Sequence, residues 1–171
     1  MDQRKLKTQQ AIQNAFLQLR KEKNLEQISI TELSRLAKIS KATFYLHYRD
    51  IFDLSEKLQS AAIRCILEQI KVTASVLDYW PEFSKKMMTI LAHDNTITTI
   101  LFSGSQMAMF PVLLENQLRE SIWAHSPELK EDLELNIRLT YHIQGCYHAY
   151  LRHSQNADPG QVLNIIADMK K

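Results

Sequence analysis

Residues 41–49 carry side chains that could bind an anion. The polar residues among them are hydrogen-bond donors on short or semi-rigid side chains, and none of them is acidic. Phosphate oxygens accept such hydrogen bonds and would repel an acid, while small polar groups suit base edges, so the set is typical of a helix in a nucleic-acid groove. The donors are Lys41, Thr43, Tyr45, His47, Tyr48 and Arg49.

Two short helices joined by a tight turn are predicted to position these donors. Ser29 is a good N-cap with Glu32 three residues later, which is the pattern of a capping box, and apolar residues follow at helical spacing. Ser40 is a second N-cap candidate and predicts a second helix over about 41–47. An amphipathic helix pair within any all-helical core has the same periodicity. The expected apolar side of the second helix comprises Ile39, Ala42, Phe44 and Leu46.

The order of these residues resembles the helix-turn-helix signature of the TetR family of transcriptional regulators. In that family a Ser/Thr-Val start, an Ala-Gly-Val-Ser turn and a Tyr-x-His-Phe end recur at the same spacing. The resemblance covers about residues 7–58 and implies that the stretch 29–48 binds DNA. The matching residues are Ser29-Ile30, Leu33, Ala37, Ile39-Ser40, Thr43-Phe44-Tyr45 and His47-Tyr48.

The resemblance also implies a role for individual side chains. Tyr45 and His47 are expected to contact phosphates, and Lys41 and Thr43 are expected to lie nearer to base edges. The backbone at 29–31 is a further candidate for a phosphate contact, because it begins a helix. The expected DNA-facing residues are Ser29, Thr31, Ser40, Lys41, Thr43, Tyr45, His47, Tyr48 and Arg49.

Three positions depart from the family pattern, and one of them is Ala42, where the family often has glycine. The turn glycine of the family is Lys38 here, and a lysine must either adopt a positive φ at some cost or reshape the turn. A lysine that the family uses for a phosphate early in the next helix is Ile51 here. Arg49, two residues earlier, is a candidate for the missing contact, and the sequence leaves open whether it makes it.

The composition is that of an ordinary globular chain built from helices. Of 171 residues, 45% are hydrophobic and 23% charged, and the 3 glycines and 4 prolines favour long helices with few hairpins. Residues 1–50 hold ten Lys and Arg against five Asp and Glu, whereas residues 51–171 hold eleven against fourteen. A basic amino-terminal part fits a DNA-facing end, although a solvated basic face gives the same count.

We therefore predict an all-α fold of about nine helices in two parts. The first, here called the head, covers residues 1–50 and is a three-helix DNA-binding domain that contains the helix-turn-helix. The second, here called the body, covers residues 51–171 and is a helical bundle for effector binding and dimerisation.

The last two predicted helices, about 127–153 and 159–170, carry more apolar surface than one subunit needs. They begin at Ser126-Pro127 and Asp158-Pro159, each a cap followed by proline. The longer helix has two apolar stripes, and the second stripe needs another surface, which predicts a homodimer through both helices. TetR-like proteins use their last two helices in this way, while burial within one chain is the alternative. The second stripe is Leu133, Ile137, Tyr141, Tyr147 or His148, and Leu151.

Apolar residues near predicted helix breaks suggest a cavity for an apolar small-molecule effector. A proline kink at Phe110-Pro111 beside two methionines is a place where a bundle could leave space. A plain irregular core would hold the same residues, because methionine fills gaps in cores. The candidates are Phe83, Met87, Leu91, Met107, Phe110 and Tyr141.

Motifs for catalysis, metal binding and nucleotide binding are missing from the sequence. The six histidines have no metal-ligand spacing, and 3 glycines leave no glycine-rich phosphate loop. We expect no enzyme activity, no metal and no cofactor. The lack of a long apolar run predicts no membrane span. Cys65 and Cys146 are expected to be two buried thiols of a cytoplasmic protein, with a disulfide as the alternative.

The sequence thus predicts a DNA-binding transcriptional regulator. As in most of the family, we expect a repressor that binds a palindromic operator as a homodimer and is released by a small-molecule effector. The alternative is a helical protein–protein interaction module that has kept the helix-turn-helix head.

Overall fold

The computed structural model describes residues 3–70, 80–92 and 97–169, with side chains described except at 70 and 87–92. This part of the chain forms nine α-helices and no strand, which confirms the all-α prediction. The division at residue 50 stays a prediction. The helices are α1 (Gln3–Glu22), α2 (Ile30–Leu36), α3 (Lys41–Tyr45), α4 (Ile51–Ile70), α5 (Trp80–Ala92), α6 (Ile97–Leu101), α7 (Met109–His125), α8 (Leu133–His153) and α9 (Pro159–Asp168).

The helices α1, α2 and α3 pack around a small apolar core. Each contributes an aromatic or aliphatic side chain with no exposed surface, namely Phe16, Leu33 and Phe44. The stripe of α1 places Ile12, Phe16 and neighbours on one face at helical spacing. Burial of such side chains contributes on the order of 2 kcal/mol each, which is enough to hold the short α2 and α3 in place.

The body is a bundle in which helices distant in sequence also pack against each other. The long α4 packs against α6 and α7, α7 packs against α8, and α9 contacts both α5 and α8. Leu114, Leu118 and Ile143 are fully buried where these helices meet. Because α4 directly follows α3 in the chain, it connects the first three helices covalently to the bundle.

Two helix starts in the body differ from the sequence prediction. Residues Pro127–Glu131 form a 3₁₀ helix, and α8 begins only at Leu133. The reason is the cap: the Ser126 side chain makes no capping hydrogen bond, whereas Asp132 accepts one from the backbone N–H of Leu135 at 3.0 Å. Pro111 lies in the first turn of α7, which begins at Met109, so its missing N–H has no intrahelical acceptor and the proline does not kink the helix.

The start of α9 agrees with the prediction. The Asp158 side chain accepts a hydrogen bond from the Gln161 N–H at 2.8 Å, and Pro159 is the first helical residue. Cys65 and Cys146 are both free, but Cys65 is exposed, so the expectation that both thiols are buried is wrong for it. Within the described ranges, every helix is too short or too polar to span a bilayer.

Candidate nucleic-acid interface

Two serine caps fix where α2 and α3 begin. The Ser29 hydroxyl accepts the Glu32 N–H at 3.2 Å, and the Ser40 hydroxyl accepts the Thr43 N–H at 3.0 Å. Both caps were predicted from the sequence. The Glu32 carboxylate forms an ion pair with Lys23 Nζ at 2.6 Å, just after the end of α1. This ion pair takes the place of the hydrogen bond from the Ser29 N–H to Glu32 that a complete capping box would have. The prediction that the second helix reaches residue 47 is wrong by two residues, because α3 ends at Tyr45.

The turn between α2 and α3 is built on a lysine in the left-handed conformation. Lys38 has φ of 56°, so it adopts the positive φ rather than reshaping the turn. Its N–H donates to the Arg35 carbonyl at 3.2 Å, and the Ile39 N–H donates to the Ser34 carbonyl at 3.0 Å. These two hydrogen bonds form a Schellman motif, in which the left-handed position usually holds glycine. The turn therefore has the backbone conformation that usually requires glycine, with a lysine in that position.

The structure leaves most of the predicted DNA-facing side chains accessible. Thr31, Lys41 and Tyr45 are exposed, while Thr43 and His47 are half-buried. Thr43 Oγ1 lies 2.8 Å from Ser40 Oγ, so the cap also restrains this side chain. The remaining exposed members of the predicted set are Ser29, Ser40 and Arg49.

Tyr48 differs from the rest of the set because it belongs to the core. It is only 3% exposed, and its ring packs 5.8 Å from that of Phe44. Its hydroxyl accepts a hydrogen bond from Gln13 Nε2 at 3.3 Å, and Lys57 Nζ lies 5.2 Å from the ring centroid. Tyr48 therefore ties the end of α3 to α1 and α4, and the expectation that it presents its ring to DNA does not match its burial.

Leu46 differs from its prediction in the opposite sense, because it was expected to be buried and is exposed. The sequence places it on the apolar side of the second helix, but its side chain is 80% exposed, and Ala42 is exposed as well. Leu46 is the C-cap of α3 in a helical conformation, and its N–H donates to the Ala42 carbonyl, so both side chains lie on one exposed face. Phe44 alone anchors α3 in the core. The accessible surface of α3 is consequently broader than predicted and includes one large apolar side chain among the donors.

Arg49 is held at the start of α4 by a buried carboxylate. Its backbone N–H donates to Asp53 Oδ2 at 3.1 Å, and Nε and Nη2 donate to Oδ1 at 3.2 and 3.1 Å. Hydrogen bonds from Lys57 and Arg49 lower the pKa of Asp53 to about 2. Ile51 is buried, so it cannot reach a phosphate, whereas the Arg49 side chain stays largely exposed beside it. The phosphate contact of Arg49 stays a prediction.

The four predicted pocket residues whose side chains the structure describes do not form one wall. Phe83 and Phe110 are buried and pack against other rings, Phe83 against Trp80 at 5.1 Å and Phe110 against Phe102 at 5.0 Å. Met107 and Tyr141 are exposed. The side chains of Met87 and Leu91 lie outside the described residues.

Tyr141 does line an apolar cavity of about 340 Å³ between α5, α8 and α9. Its other walls include Trp80, His142 and Met169. Burial, with a smaller effect of the Arg138 charge, lowers the pKa of His142, which stacks on Trp80 with ring centroids 4.7 Å apart. Among the described residues, no group of His, Cys, Asp and Glu side chains comes together in a way that could hold a metal ion.

Sequence reasoning missed Arg20, which lies in α1 but is buried. It follows Ile12 by eight residues and Phe16 by four, so a charged residue continues the apolar stripe. That placement was a visible signal, because a charged residue on a core face must find partners.

Comparison with known proteins gives one relative. A 92-residue stretch is 28% identical to an uncharacterized HTH-type transcriptional regulator, YxbF, of Bacillus subtilis (strain 168). The match covers 53% of this chain and 24% of the relative, so the chain spans about a quarter of the length of the curated protein that it matches. No family model matches the chain. The chain is thus similar to a regulator of the helix-turn-helix type, and the similarity does not assign it to a family.

Proposed function

We propose that this protein is a DNA-binding transcriptional regulator of the TetR type that acts in the cytoplasm as a homodimer and has no enzyme activity. The observation that carries the proposal is the α2–α3 unit, in which both helices are capped and α3 presents donors without an acidic neighbour. The similarity to an HTH-type regulator supports the same class. The TetR assignment rests on the residue pattern and on a turn that keeps the family's geometry with a lysine.

In this proposal α3 lies in the major groove. Lys41 and Thr43, at and near the start of α3, face base edges, and Tyr45 and His47 contact phosphates. A helix of five residues spans little more than one turn, so each subunit reads only a few base pairs. Specificity then needs two half-sites whose centres lie about 34–36 Å apart, or a multiple of that distance.

Support for the homodimer comes from apolar surface on α8 and α9. Leu133, Ile137 and Tyr141 follow one another along α8 and are 72%, 59% and 73% exposed. On α9, Ile165 and Met169 are exposed as well.

A groove between α8 and α9 continues this surface. It contains the 340 Å³ cavity and a second apolar cavity of about 460 Å³. Gly145 lies in it with open space where a Cβ would stand, which would let a partner helix approach closely. The groove and the exposed stripe together make a self-complementary face of the kind that a two-fold dimer uses.

The experiment that tests the proposal is selection of bound sequences from random DNA, followed by affinity measurements at stated salt concentrations. We expect a palindromic sequence whose affinity falls steeply with salt, since phosphate contacts release counterions. Enrichment of no sequence, with a dimer still present in sedimentation, would instead favour the protein–protein interaction module.

Repression and release by an apolar effector belong to the same proposal by resemblance to the family. Repression is tested by a reporter gene placed behind the selected sequence, whose output should fall when the protein is present. Release is tested by adding apolar compounds to the preformed DNA complex, and loss of the complex at concentrations that leave an unrelated DNA-binding protein in place would support it.

A further inference from the structure

Arg20 connects α1 to the end of α6 through hydrogen bonds to neutral oxygens. The side chain is 3% exposed. Nη1 donates to the Lys23 carbonyl at 2.7 Å. Nη2 donates to Ser103 O at 3.0 Å, Ser103 Oγ at 2.9 Å and, more weakly, Ile100 O at 3.4 Å. A guanidinium of the head is therefore buried against the backbone of the body.

Three of these acceptors lie at or just after the end of α6, where the Gln106 N–H also donates to Ser103 O at 3.2 Å and the Ser103 hydroxyl donates to Ile100 O at 2.9 Å. The last carbonyls of a helix have no intrahelical donor, and the negative end of the helix dipole attracts a cation. Ile100 lies in the last turn of α6 and Ser103 follows it. Gln59 of α4, itself buried, donates to the next carbonyl, Leu101 O, at 3.1 Å. Side chains from α1 and α4 thus together cap α6.

A second contact lies beside the first. Ser105 Oγ donates to Glu26 Oε1 at 2.7 Å, which joins the segment after α6 to the segment after α1. Gly104 between them has φ of 58°, and a Cβ at that position would collide with Asn24 Oδ1. Glycine adopts this left-handed conformation without strain and leaves room for the Asn24 side chain. Residues of both segments therefore determine this contact between the head and the body, which is here called the joint.

We infer that Arg20 is a positioning residue that fixes the head against the body by capping α6. In the homodimer, the angle at which each head leaves its body determines the distance between the two α3 helices. Arg20 therefore sets which half-site spacing the protein accepts, without touching DNA. The effect on half-site spacing rests on the proposed function, whereas the role of Arg20 in the contact between head and body does not.

The first test measures spacing selectivity in the full-length protein. The DNA series contains the selected palindrome, the same palindrome with its half-sites one base pair closer or farther apart, and an isolated half-site. The variants are R20Q and R20K, since lysine keeps the charge but loses the planar fork of donors. The control is K21Q, which removes the same charge from an exposed neighbour on α1.

R20Q should weaken binding to the isolated half-site no more than K21Q does, since each variant loses one charge, and should in addition lower the preference for the correct spacing by roughly threefold or more, because spacing reports the geometry of the dimer. R20K should fall between R20Q and wild type. K21Q should weaken binding to every DNA by one common factor, because a lost charge acts on all sequences alike. An unchanged spacing preference in R20Q, or an equal loss on half-site and palindrome, overturns the inference.

The second test needs no DNA. Spin labels at R35C in the head and E120C in the body report the distance between the two parts within one chain. C65S and C146S remove the native thiols, and unlabelled chains in excess leave one labelled subunit per dimer. The distance distribution should broaden in R20Q. E26Q should broaden it less, and it serves as the second variant because Glu26 is exposed, so its replacement does not disturb the core.

The two tests separate the two proposals. If the wild type binds no DNA but R20Q and E26Q broaden the distribution, the DNA-binding function fails and the joint stands. If neither variant changes the distribution, the inference fails whatever the protein does with DNA.

Discussion

Replacement of Lys38 by glycine is expected to stabilise the protein. Lys38 is the one non-glycine residue with positive φ in the part of the chain that the structure describes. The left-handed conformation costs an L-residue about 1–2 kcal/mol, and glycine avoids this cost. Glycine also gives the unfolded chain more freedom, which costs about 0.5–1 kcal/mol.

The difference leaves a net gain of roughly 0.5–1 kcal/mol in the free energy of unfolding for K38G. In a chain of this size each kcal/mol raises the melting temperature by about 2–4 °C, so we expect an increase on the order of 1–4 °C. The hydrogen bonds of the turn are made by backbone groups, so the substitution keeps them.

Thermal unfolding followed by circular dichroism measures this change, with K38A as the matched control. Alanine removes the same amine but keeps the Cβ that makes the left-handed conformation costly. K38A should therefore unfold at or below the wild-type temperature. A K38G variant no more stable than K38A would show that the turn is not strained and would refute the reasoning.

Three further predictions concern the proposed DNA interface, the Asp53 carboxylate at the start of α4 and the dimer. Y45A should weaken binding to all DNA sequences alike, whereas substitution of Thr43 should change the preferred sequence; equal effects of both on specific and random DNA would refute this division of roles. D53N should lose a part of the free energy of unfolding that depends on acid pH. The pKa of Asp53 is held at about 2, below its usual 3.8. The contribution of the ionised carboxylate to stability is therefore complete at neutral pH and is lost as the pH falls from about 4 through 2. Urea titrations at about pH 6 and pH 2.5 should differ less for D53N than for wild type, and an equal difference would exclude this role. I137D should yield monomers in sedimentation velocity, whereas V112D, which alters a similarly exposed apolar residue on α7, should stay dimeric; a dimeric I137D would contradict the proposed interface.

Helix starts were readable from the sequence wherever the cap is local. Ser29, Ser40 and Asp158 each accept a hydrogen bond from an N–H three residues later, so identity and spacing suffice to predict them. Ser126 has the same type of side chain before a proline but makes no such bond, and Asp132 caps α8 instead. Two competing caps six residues apart are settled by packing of the bundle, which local sequence does not contain.

The exposure of side chains in the head was harder to predict from the sequence than the positions at which helices begin. Periodicity assigned Leu46 to the core and Tyr48 to the surface, and the structure reverses both. Both residues still follow the helical period, since Leu46 lies on the face of Ala42 and Tyr48 on the face of Phe44, so the error was in the choice of the buried face. What decides their burial is the position of α1 and α4, since Tyr48 contacts Gln13 and Lys57 from those helices.

Arg20 marks the kind of functional residue that the sequence can flag but not explain. Its place on the stripe of Ile12 and Phe16 shows that it is buried, and burial of a charge demands partners. Its partners at 100 and 103 are backbone carbonyls some 80 residues away, and a carbonyl has no identity in the sequence. A search for complementary charges could have found Glu26, whose charge raises the pKa of Arg20 against the effect of burial, but not the hydrogen-bond acceptors at 100 and 103. The general consequence is that a lone arginine on an apolar helical stripe predicts a capped helix elsewhere in the fold.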